Sequence, residues 1–178
     1  KLENVRQGVF DLTGKLFGLK YEKLEGMPVY NKEVEVFKVT DADSKLIGIL
    51  YTDYFPRGGK NVGAWMSNYK NQYIKDGVNH RPIIVNVGNF TRPTSDKPSL
   101  LTMDEVETLF HEFGHALHGL LANSTYPSLS GTSVARDFVE LPSQIMENWC
   151  FEPDVLKTYA RHYKTNEVMP QELMDKIQ

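Results

Sequence analysis

The chain has 178 residues, 40% of them hydrophobic and 24% charged, a composition typical of a soluble globular domain and not of a disordered segment. Its formal net charge of −3 comes without a block of basic residues, which argues against nucleic acid or an anionic membrane as a partner. No apolar run reaches the length of a membrane span, and the lone Cys150 has no partner for an internal disulfide.

Near the start of the chain, apolar residues recur at helical spacing. They predict an amphipathic helix over residues 3–17 that ends near Gly18. The sequence begins at Lys1 within this pattern and stops at Gln178 within another helical pattern. We therefore expect it to be a piece of a longer protein, which leaves open whether that protein is cytoplasmic or periplasmic and how it oligomerises.

The strand signals fall between residues 29 and 90. Alternation over residues 34–36 and an apolar run over residues 46–51 predict a hairpin, with a polar turn at residues 41–44 between the two strands. A third strand is predicted over residues 83–87. Since this strand shortly precedes the next helix, we expect its edge to line a cleft and to hold an extended peptide by strand addition.

A helix with a defined start follows this strand-rich part. Thr102 and Glu105 form the pattern of a capping box. Behind it, apolar residues at helical spacing predict a stripe that faces the core, formed by Val106, Leu109, Phe110, Phe113, Leu117, Leu120 and Leu121.

The opposite face of this helix carries a His-Glu-x-x-His motif. His111 and His115 are four residues apart and so lie one above the other, where two imidazoles converge on one metal ion. Glu112 lies about 100° further round the helix, close to the metal without being a ligand. Two neutral nitrogens, a carboxylate base and a position left for water are what a hydrolytic zinc site requires. The motif therefore predicts a metal-dependent hydrolase.

A second helix is predicted after a polar loop at residues 123–133. Because proline is best tolerated in the first turn of a helix, Pro142 indicates that this helix either begins near Asp137 or is kinked there. We expect these two helices to occupy about residues 102–150. Two more helical segments are predicted at about 154–163 and from Gln171 onwards.

A site with two histidines needs a third protein ligand. The candidates downstream are Asp137, Glu140, Glu147 and His118. His118 lies on the same helix as the histidine pair, and three ligands from one straight helix cannot surround an ion, so we expect it to be an outer-shell or structural residue. Glu140 is the strongest choice because an antiparallel second helix would present it opposite the pair. Alternatively, Asp137 and Glu140 form a capping box of that helix.

Residues behind the ligands orient them. Asp137 is placed to accept a hydrogen bond from a ligating imidazole, and Glu107, one turn before His111, competes with it for this role.

Three blocks of the sequence together resemble a known family. They are residues 110–118 (Phe-His-Glu-Phe-Gly-His-Ala-Leu-His), 130–132 (Ser-Gly-Thr) and 137–144 (Asp-Phe-Val-Glu-Leu-Pro-Ser-Gln). They look like the signature blocks of the thimet oligopeptidase and peptidyl-dipeptidase family of zinc metallopeptidases. The segments that resemble its bacterial peptidyl-dipeptidase branch in particular are 16–19, 63–66, 89–90 and 159–163.

The resemblance implies one zinc ion per chain, with His111, His115 and Glu140 as its ligands and Glu112 as the general base. It also implies an α+β, mostly helical fold, in which a zinc-binding helix pair packs beside a small sheet as part of a larger two-lobed protein. Residues 1–178 would then be a single piece of its catalytic core. The expected activity is release of C-terminal dipeptides from short peptides.

Three alternatives stay open at this point. The parent protein could be an endo-acting oligopeptidase of the same family, or a zinc hydrolase such as an amidase that acts on other substrates. The chain itself could bind zinc without being catalytically complete, because further substrate contacts of the family have no counterpart in it.

Overall fold

A computed structural model describes residues 1–177, in which the helices and a five-stranded sheet share one hydrophobic core, beside a small two-stranded sheet. Within this range the α-helices are α1 (Leu2–Phe17), α2 (Met103–Leu120), α3 (Leu141–Phe151), α4 (Pro153–Tyr159) and α5 (Gln171–Ile177). The strands are β1 (Lys20–Leu24), β2 (Glu35–Thr40), β3 (Leu46–Asp53), β4 (Trp65–Lys70), β5 (Tyr73–Lys75), β6 (Val78–His80) and β7 (Ile83–Val87). The predicted α+β class is confirmed, and Gln178, the end of the last predicted helix, lies outside the described residues. None of the described helices is long and apolar enough to cross a membrane.

Five of the described strands form the main sheet, in the order β1-β2-β3-β7-β4. The predicted hairpin is confirmed, since β2 pairs antiparallel with β3, and β7 lies where the third strand was predicted. The expectation that β7 offers an edge was wrong. It lies between β3, to which it runs parallel, and β4, to which it runs antiparallel. The edge strand on this side of the main sheet is β4.

Helix α2 packs one face against the main sheet. Its capping box is confirmed, because the Thr102 hydroxyl accepts from the Glu105 amide and the Glu105 carboxylate accepts from the Thr102 amide. The apolar stripe of α2 forms a large part of the core. Fully burying one apolar side chain contributes about 1.5 to 3 kcal/mol to the free energy of folding. The predicted stripe is confirmed for Val106, Leu109, Phe110, Phe113, Leu117 and Leu120, whereas Leu121 is 39% exposed.

Arg81 holds the C-terminal end of α2. Its guanidinium donates to the carbonyl oxygens of Ile47 at 2.7 Å and Ala122 at 3.0 Å, and also to that of Leu120. The Leu120 carbonyl, at the end of α2, has no partner within the helix and is satisfied by this contact. Arg81 lies just before β7 and thus ties the start of that strand to the end of α2.

Helices α2 and α3 approach each other most closely at Gly114, within the His-Glu-x-x-His motif. A Cβ atom at Gly114 would lie 2.5 Å from the Cα of Ser143 and 2.6 Å from the carbonyl oxygen of Pro142. Only glycine therefore allows the first turn of α3 to lie against α2 at this level. This contact brings the residue before α3, Glu140, next to His115.

Candidate metal centre

Three potential ligand atoms converge where α3 begins against α2. Glu140 Oε2 lies 3.3 Å from His111 Nε2 and 3.1 Å from His115 Nε2. One potential ligand atom from each of His111, His115 and Glu140 lies within 4.8 Å of the other two. Among residues 1–177, these three residues form a group that could hold a metal ion. The two imidazoles stand nearly perpendicular, with an angle of 83° between their planes.

The spacing of these atoms suits zinc. Ligand atoms at about 2.0 to 2.1 Å from a tetrahedral zinc ion lie about 3.3 to 3.4 Å apart. The two distances from Glu140 Oε2 to the imidazole nitrogens are close to this value. Two imidazoles and one carboxylate also make up the donor set of a catalytic zinc site, in which three protein ligands leave a fourth position open.

Glu147 on α3 orients His111. Its carboxylate contacts His111 Nδ1, the ring nitrogen that faces away from Glu140. A hydrogen donated from Nδ1 to Glu147 leaves the lone pair on Nε2, which is the tautomer that a metal ligand needs. Glu147 was one of the candidate ligands in the sequence, and the structure places it against His111 Nδ1, outside the group of convergent ligand atoms.

The protonation states of His115 and Glu140 also favour metal binding. Burial lowers the pKa of His115, so its imidazole is neutral at physiological pH. The Ser143 hydroxyl donates to Glu140 Oε2 at 2.9 Å and, together with the two imidazoles, lowers the pKa of this carboxyl. The carboxylate is therefore negatively charged without a metal.

Glu112 lies in the wall of the same site. Burial raises its pKa to about 7, and its Oε2 atom is buried with no hydrogen-bond partner among the described residues. Its backbone carbonyl accepts a hydrogen bond from the buried Asn86 side chain at 3.0 Å, which ties this turn of α2 to β7. A carboxyl with a raised pKa and a free oxygen in a cleft is suited to proton transfer.

The cavity in front of these residues measures about 380 Å³ and has walls from several elements. On one side lie Ala64, Trp65 and Met66, at the start of the edge strand β4. On the other lie Thr132 and Val139, from the loop between α2 and α3. A bound molecule would thus lie between an exposed strand edge and the predicted metal ligands.

The start of α3 differs from the sequence prediction. The helix begins at Leu141, Pro142 occupies its first turn, and Glu140 is the N-cap residue. Glu140 makes no side-chain capping bond, so the predicted capping box of Asp137 and Glu140 was wrong. The segment before α3 forms a turn instead of the first turn of the helix. The backbone amides of Phe138 and Val139 both donate to the Ala135 carbonyl, and this turn ends at Glu140.

The outer-shell candidates fall in different places. Asp137 is exposed and makes no side-chain contact with a histidine among residues 1–177, so Glu147 and not Asp137 holds His111. Glu107 lines a cavity with His111 and Glu147, but its carboxylate forms no hydrogen bond with the described residues. His118 lies outside the ligand group. Its ring packs edge-on against Phe138, with Nδ1 buried and unpaired among these residues.

Sequence reasoning missed two supporting residues, Ser143 and Asn86. A weak signal existed for Ser143, because it follows Glu140 by three residues and a side chain at that spacing reaches back to the N-cap residue. Asn86 alternates into the core from a strand whose neighbours are all apolar. A buried amide in such a run requires a polar partner, although the sequence does not say which one.

Comparison with known proteins places the whole chain. Residues 1–178 match the family model described as Peptidase family M3. The chain is 44% identical over 173 residues to the dipeptidyl carboxypeptidase of Escherichia coli, an alignment that covers 97% of this chain and 25% of that protein. It is 42% identical over 172 residues to oligopeptidase A of Salmonella typhimurium, covering 96% and 25%. It is also 40% identical over 183 residues to organellar oligopeptidase A of Arabidopsis thaliana, covering 99% and 23%. The chain thus spans about a quarter of the length of the curated relatives it matches.

Proposed function

Because this chain belongs to peptidase family M3, we propose that the protein containing it is a zinc-dependent peptidase that cleaves short peptides. The observation that carries this proposal is the convergence of His111, His115 and Glu140 beside the buried carboxyl of Glu112. The family membership bears out the resemblance to the thimet oligopeptidase and peptidyl-dipeptidase family. The roles of the individual residues are our proposal.

His111, His115 and Glu140 would hold the zinc ion, one per chain. When bound, zinc lowers the pKa of a coordinated water from about 16 to about 7 and polarises the scissile carbonyl. Glu112 would accept a proton from the attacking water as the new C–O bond to the carbonyl carbon forms, and would then pass this proton to the amine as the C–N bond breaks. A nearby cation lowers the pKa of a carboxyl, so Glu112 is an ionised base at the start of the cycle.

The edge of β4 is the surface that suits the substrate main chain. β4 pairs with β7 on one side only, and its first residues line the cavity with Glu112. An extended peptide that added to this edge would be held through backbone hydrogen bonds, which read chain shape more than sequence. The strand to which we propose that the peptide adds is therefore β4 and not β7.

The mode of cleavage separates two candidates. The similarity to a dipeptidyl carboxypeptidase favours release of C-terminal dipeptides. The similarity to proteins named oligopeptidase A, at nearly the same identity, favours internal cleavage as a second candidate. We propose the first because the segments outside the metal motif resemble the peptidyl-dipeptidase branch.

An octapeptide with a free C-terminus and its amidated counterpart distinguish the two modes. We expect the complete protein to release dipeptides in succession from the free peptide and to cleave the amidated peptide poorly, because an exo-acting enzyme must bind the terminal carboxylate. The products are identified by mass spectrometry. Internal cuts that are equally fast in both peptides would instead establish an oligopeptidase.

The orientation of His111 by Glu147 leads to a prediction about metal affinity. Replacing Glu147 with alanine is expected to weaken zinc binding about 10- to 100-fold, because the imidazole loses the partner that fixes its tautomer and direction. Competition with a fluorescent zinc chelator measures the change. The matched control is Glu107→Ala, which removes a carboxylate from the same cavity but no hydrogen bond to a histidine among the described residues. An equal loss in both variants would contradict the role of Glu147.

We also propose that residues 1–178 form part of one lobe of a larger two-lobed catalytic domain. An apolar groove of about 480 Å³ lies between α2, α3 and the end of α1. Around it, large apolar side chains are exposed by 39 to 65%: Leu16, Phe17, Leu121, Leu129, Leu141 and Ile145. Contiguous apolar surface of this kind is typical of a face that another part of a protein covers.

A further inference from the structure

Lys60 is a buried cation that the proposed chemistry does not use. Its side chain is 3% exposed, and its ammonium donates to the Asp53 carboxylate and carbonyl, both at 3.1 Å. It also donates to the carbonyls of Phe55, at 2.8 Å, and of Gly88. Burying an ammonium is costly unless all its hydrogens are accepted, as they are in this case. These bonds join the ends of β3 and β7 to the loop that begins at Tyr54.

Asp53 completes the cluster at the end of β3. Its carboxylate is 3% exposed and accepts two hydrogen bonds from Arg57, at 2.7 and 2.8 Å, and one from Tyr30 at 2.8 Å. The paired geometry of the guanidinium and the carboxylate is the strongest form of such a contact. The base of the loop is therefore fixed by charged groups that are themselves anchored in the sheet.

The tip of the same loop is held by Asn89, two residues after the end of β7. The Asn89 amide donates to the carbonyls of Asn61 at 2.9 Å and Gly63 at 2.7 Å. Beyond these bonds the tip faces solvent, since Val62 is 93% exposed and an added Cβ at Gly63 would meet nothing within 4 Å. With so little packing, the position of the tip depends on the hydrogen bonds of Lys60 and Asn89.

The loop leads directly into the cavity of the candidate metal centre. Gly63 is followed by Ala64, Trp65 and Met66, which line that cavity opposite Glu112. We propose that Lys60 and Asn89 are positioning residues that set where the start of β4 meets the main chain of a bound peptide. This inference rests on the proposed function, because it assumes that a peptide adds to the edge of β4. Neither residue touches the metal ligands, so their effect should appear in peptide binding and not in metal binding.

The expected size follows from the geometry of edge binding. A displacement of about 1 Å in a substrate-holding element costs up to about 10²-fold in rate. We expect Lys60→Met, which keeps the aliphatic stem but removes the charge, to weaken binding of an octapeptide at least tenfold. Asn89→Ala is expected to act in the same direction, with less risk to folding because Asn89 is partly exposed. An N-acetylated tripeptide with the same scissile bond reaches little of β4 and should be bound and cleaved almost as before.

The control is Arg81→Met. Arg81 is also a partly buried cation that donates to backbone carbonyls, but it lies at the opposite end of β7 from Gly88. If Lys60 acted only through stability, the two substitutions would lower stability alike and leave the properties of each folded, zinc-loaded molecule unchanged. Positioning instead predicts a rise in the Kd and KM for the octapeptide in the Lys60 and Asn89 variants alone.

The experiment uses the complete protein, with each substitution made both alone and together with Glu112→Gln. In the inert double variants, octapeptide affinity is measured by calorimetry, and protection of the amides of residues 65–70 by hydrogen exchange. In the single variants, KM and kcat are measured for the octapeptide and the tripeptide, and zinc content by elemental analysis.

Loss of octapeptide affinity and of amide protection, with zinc and tripeptide cleavage retained, supports the proposal. Unchanged octapeptide binding in Asn89→Ala and in any folded Lys60→Met protein overturns it, and so does an equal loss in Arg81→Met. If the unsubstituted protein cleaves neither peptide, the proposed function itself is wrong and the inference falls with it. If it cleaves both and the variants match it, only the inference fails.

Discussion

Replacing Glu112 with glutamine is expected to leave zinc bound and to lower kcat by about 10² to 10⁴-fold. The amide has nearly the same shape as the carboxyl, so the cavity wall is preserved, but it cannot take a proton from water. Glu112 lies outside the group of convergent ligand atoms, and for this reason its loss should spare the metal. Elemental analysis of the purified protein and hydrolysis of a quenched fluorescent peptide measure the two effects separately.

The same substitution at Glu107 is the control for the Glu112 experiment. Glu107 lines a neighbouring cavity with His111 and Glu112. It does not line the cavity that contains the convergent ligand atoms. We expect Glu107→Gln to retain turnover close to that of the unsubstituted protein. Turnover of the Glu112→Gln protein within a few-fold of that value would remove Glu112 from the mechanism.

Replacing Glu140 with alanine is expected to empty the metal site and with it to abolish hydrolysis. Glu140 Oε2 lies within 3.3 Å of both imidazole nitrogens, so in our proposal this carboxylate is the third ligand and supplies the negative charge of the set. Its loss should weaken zinc binding by more than the factor of about 10 to 100 that is expected for an outer-shell residue such as Glu147.

His118→Ala is the comparison that tests this ligand assignment. His118 lies on the same helix as His111 and His115 and was one of the four candidates for the third ligand. Its ring packs against Phe138 outside the ligand group. Zinc stoichiometry near one for His118→Ala and near zero for Glu140→Ala would agree with our assignment. The reverse pattern would show that the third ligand is His118.

The parts of the fold that could be predicted are those with a strong local signal. The period of apolar residues in α2 and the capping box at Thr102 together define both the face and the start of that helix. The turn between β2 and β3 is likewise local, since it is built from the polar residues 41–44. In each case, residues close in sequence determine the structure, so that one sequence is enough.

The missed strands lacked such a signal or carried one that was overlooked. β1 has the sequence Lys-Tyr-Glu-Lys-Leu. It is an edge strand that buries little of either face, so its sequence carries no clear apolar pattern. β4 is the other edge, and its residues are half-buried without alternation. Between β5 and β6, however, Asp76 and Gly77 both have positive φ, and an Asp-Gly pair flanked by short strands is a recognisable hairpin turn.

The candidate site also contains residues that the sequence alone could place and residues that depend on tertiary packing. The histidine pair and Glu112 lie on one helix, and their spacing alone places them. Glu147 and Asn86 come from other elements, and which of them reaches α2 depends on how α3 and β7 pack. For the same reason the sequence could nominate Glu147 as a ligand candidate but could not distinguish a ligand from a residue that orients one.

The parallel pairing of β3 with β7 implies an order of folding. We expect β2 and β3, which are joined by a short turn, to pair early, whereas β7 reaches β3 only after the chain has passed through all of β4, β5 and β6. β4 then becomes an edge by pairing with a strand that is synthesised after it. Closing such long loops costs entropy before any of these contacts forms, which slows folding. The cavity has walls from β4, α2 and the segment before α3, so it is complete only when the last of these long-range pairings is made. Recovered turnover is therefore a stricter reporter of native topology than recovered secondary structure.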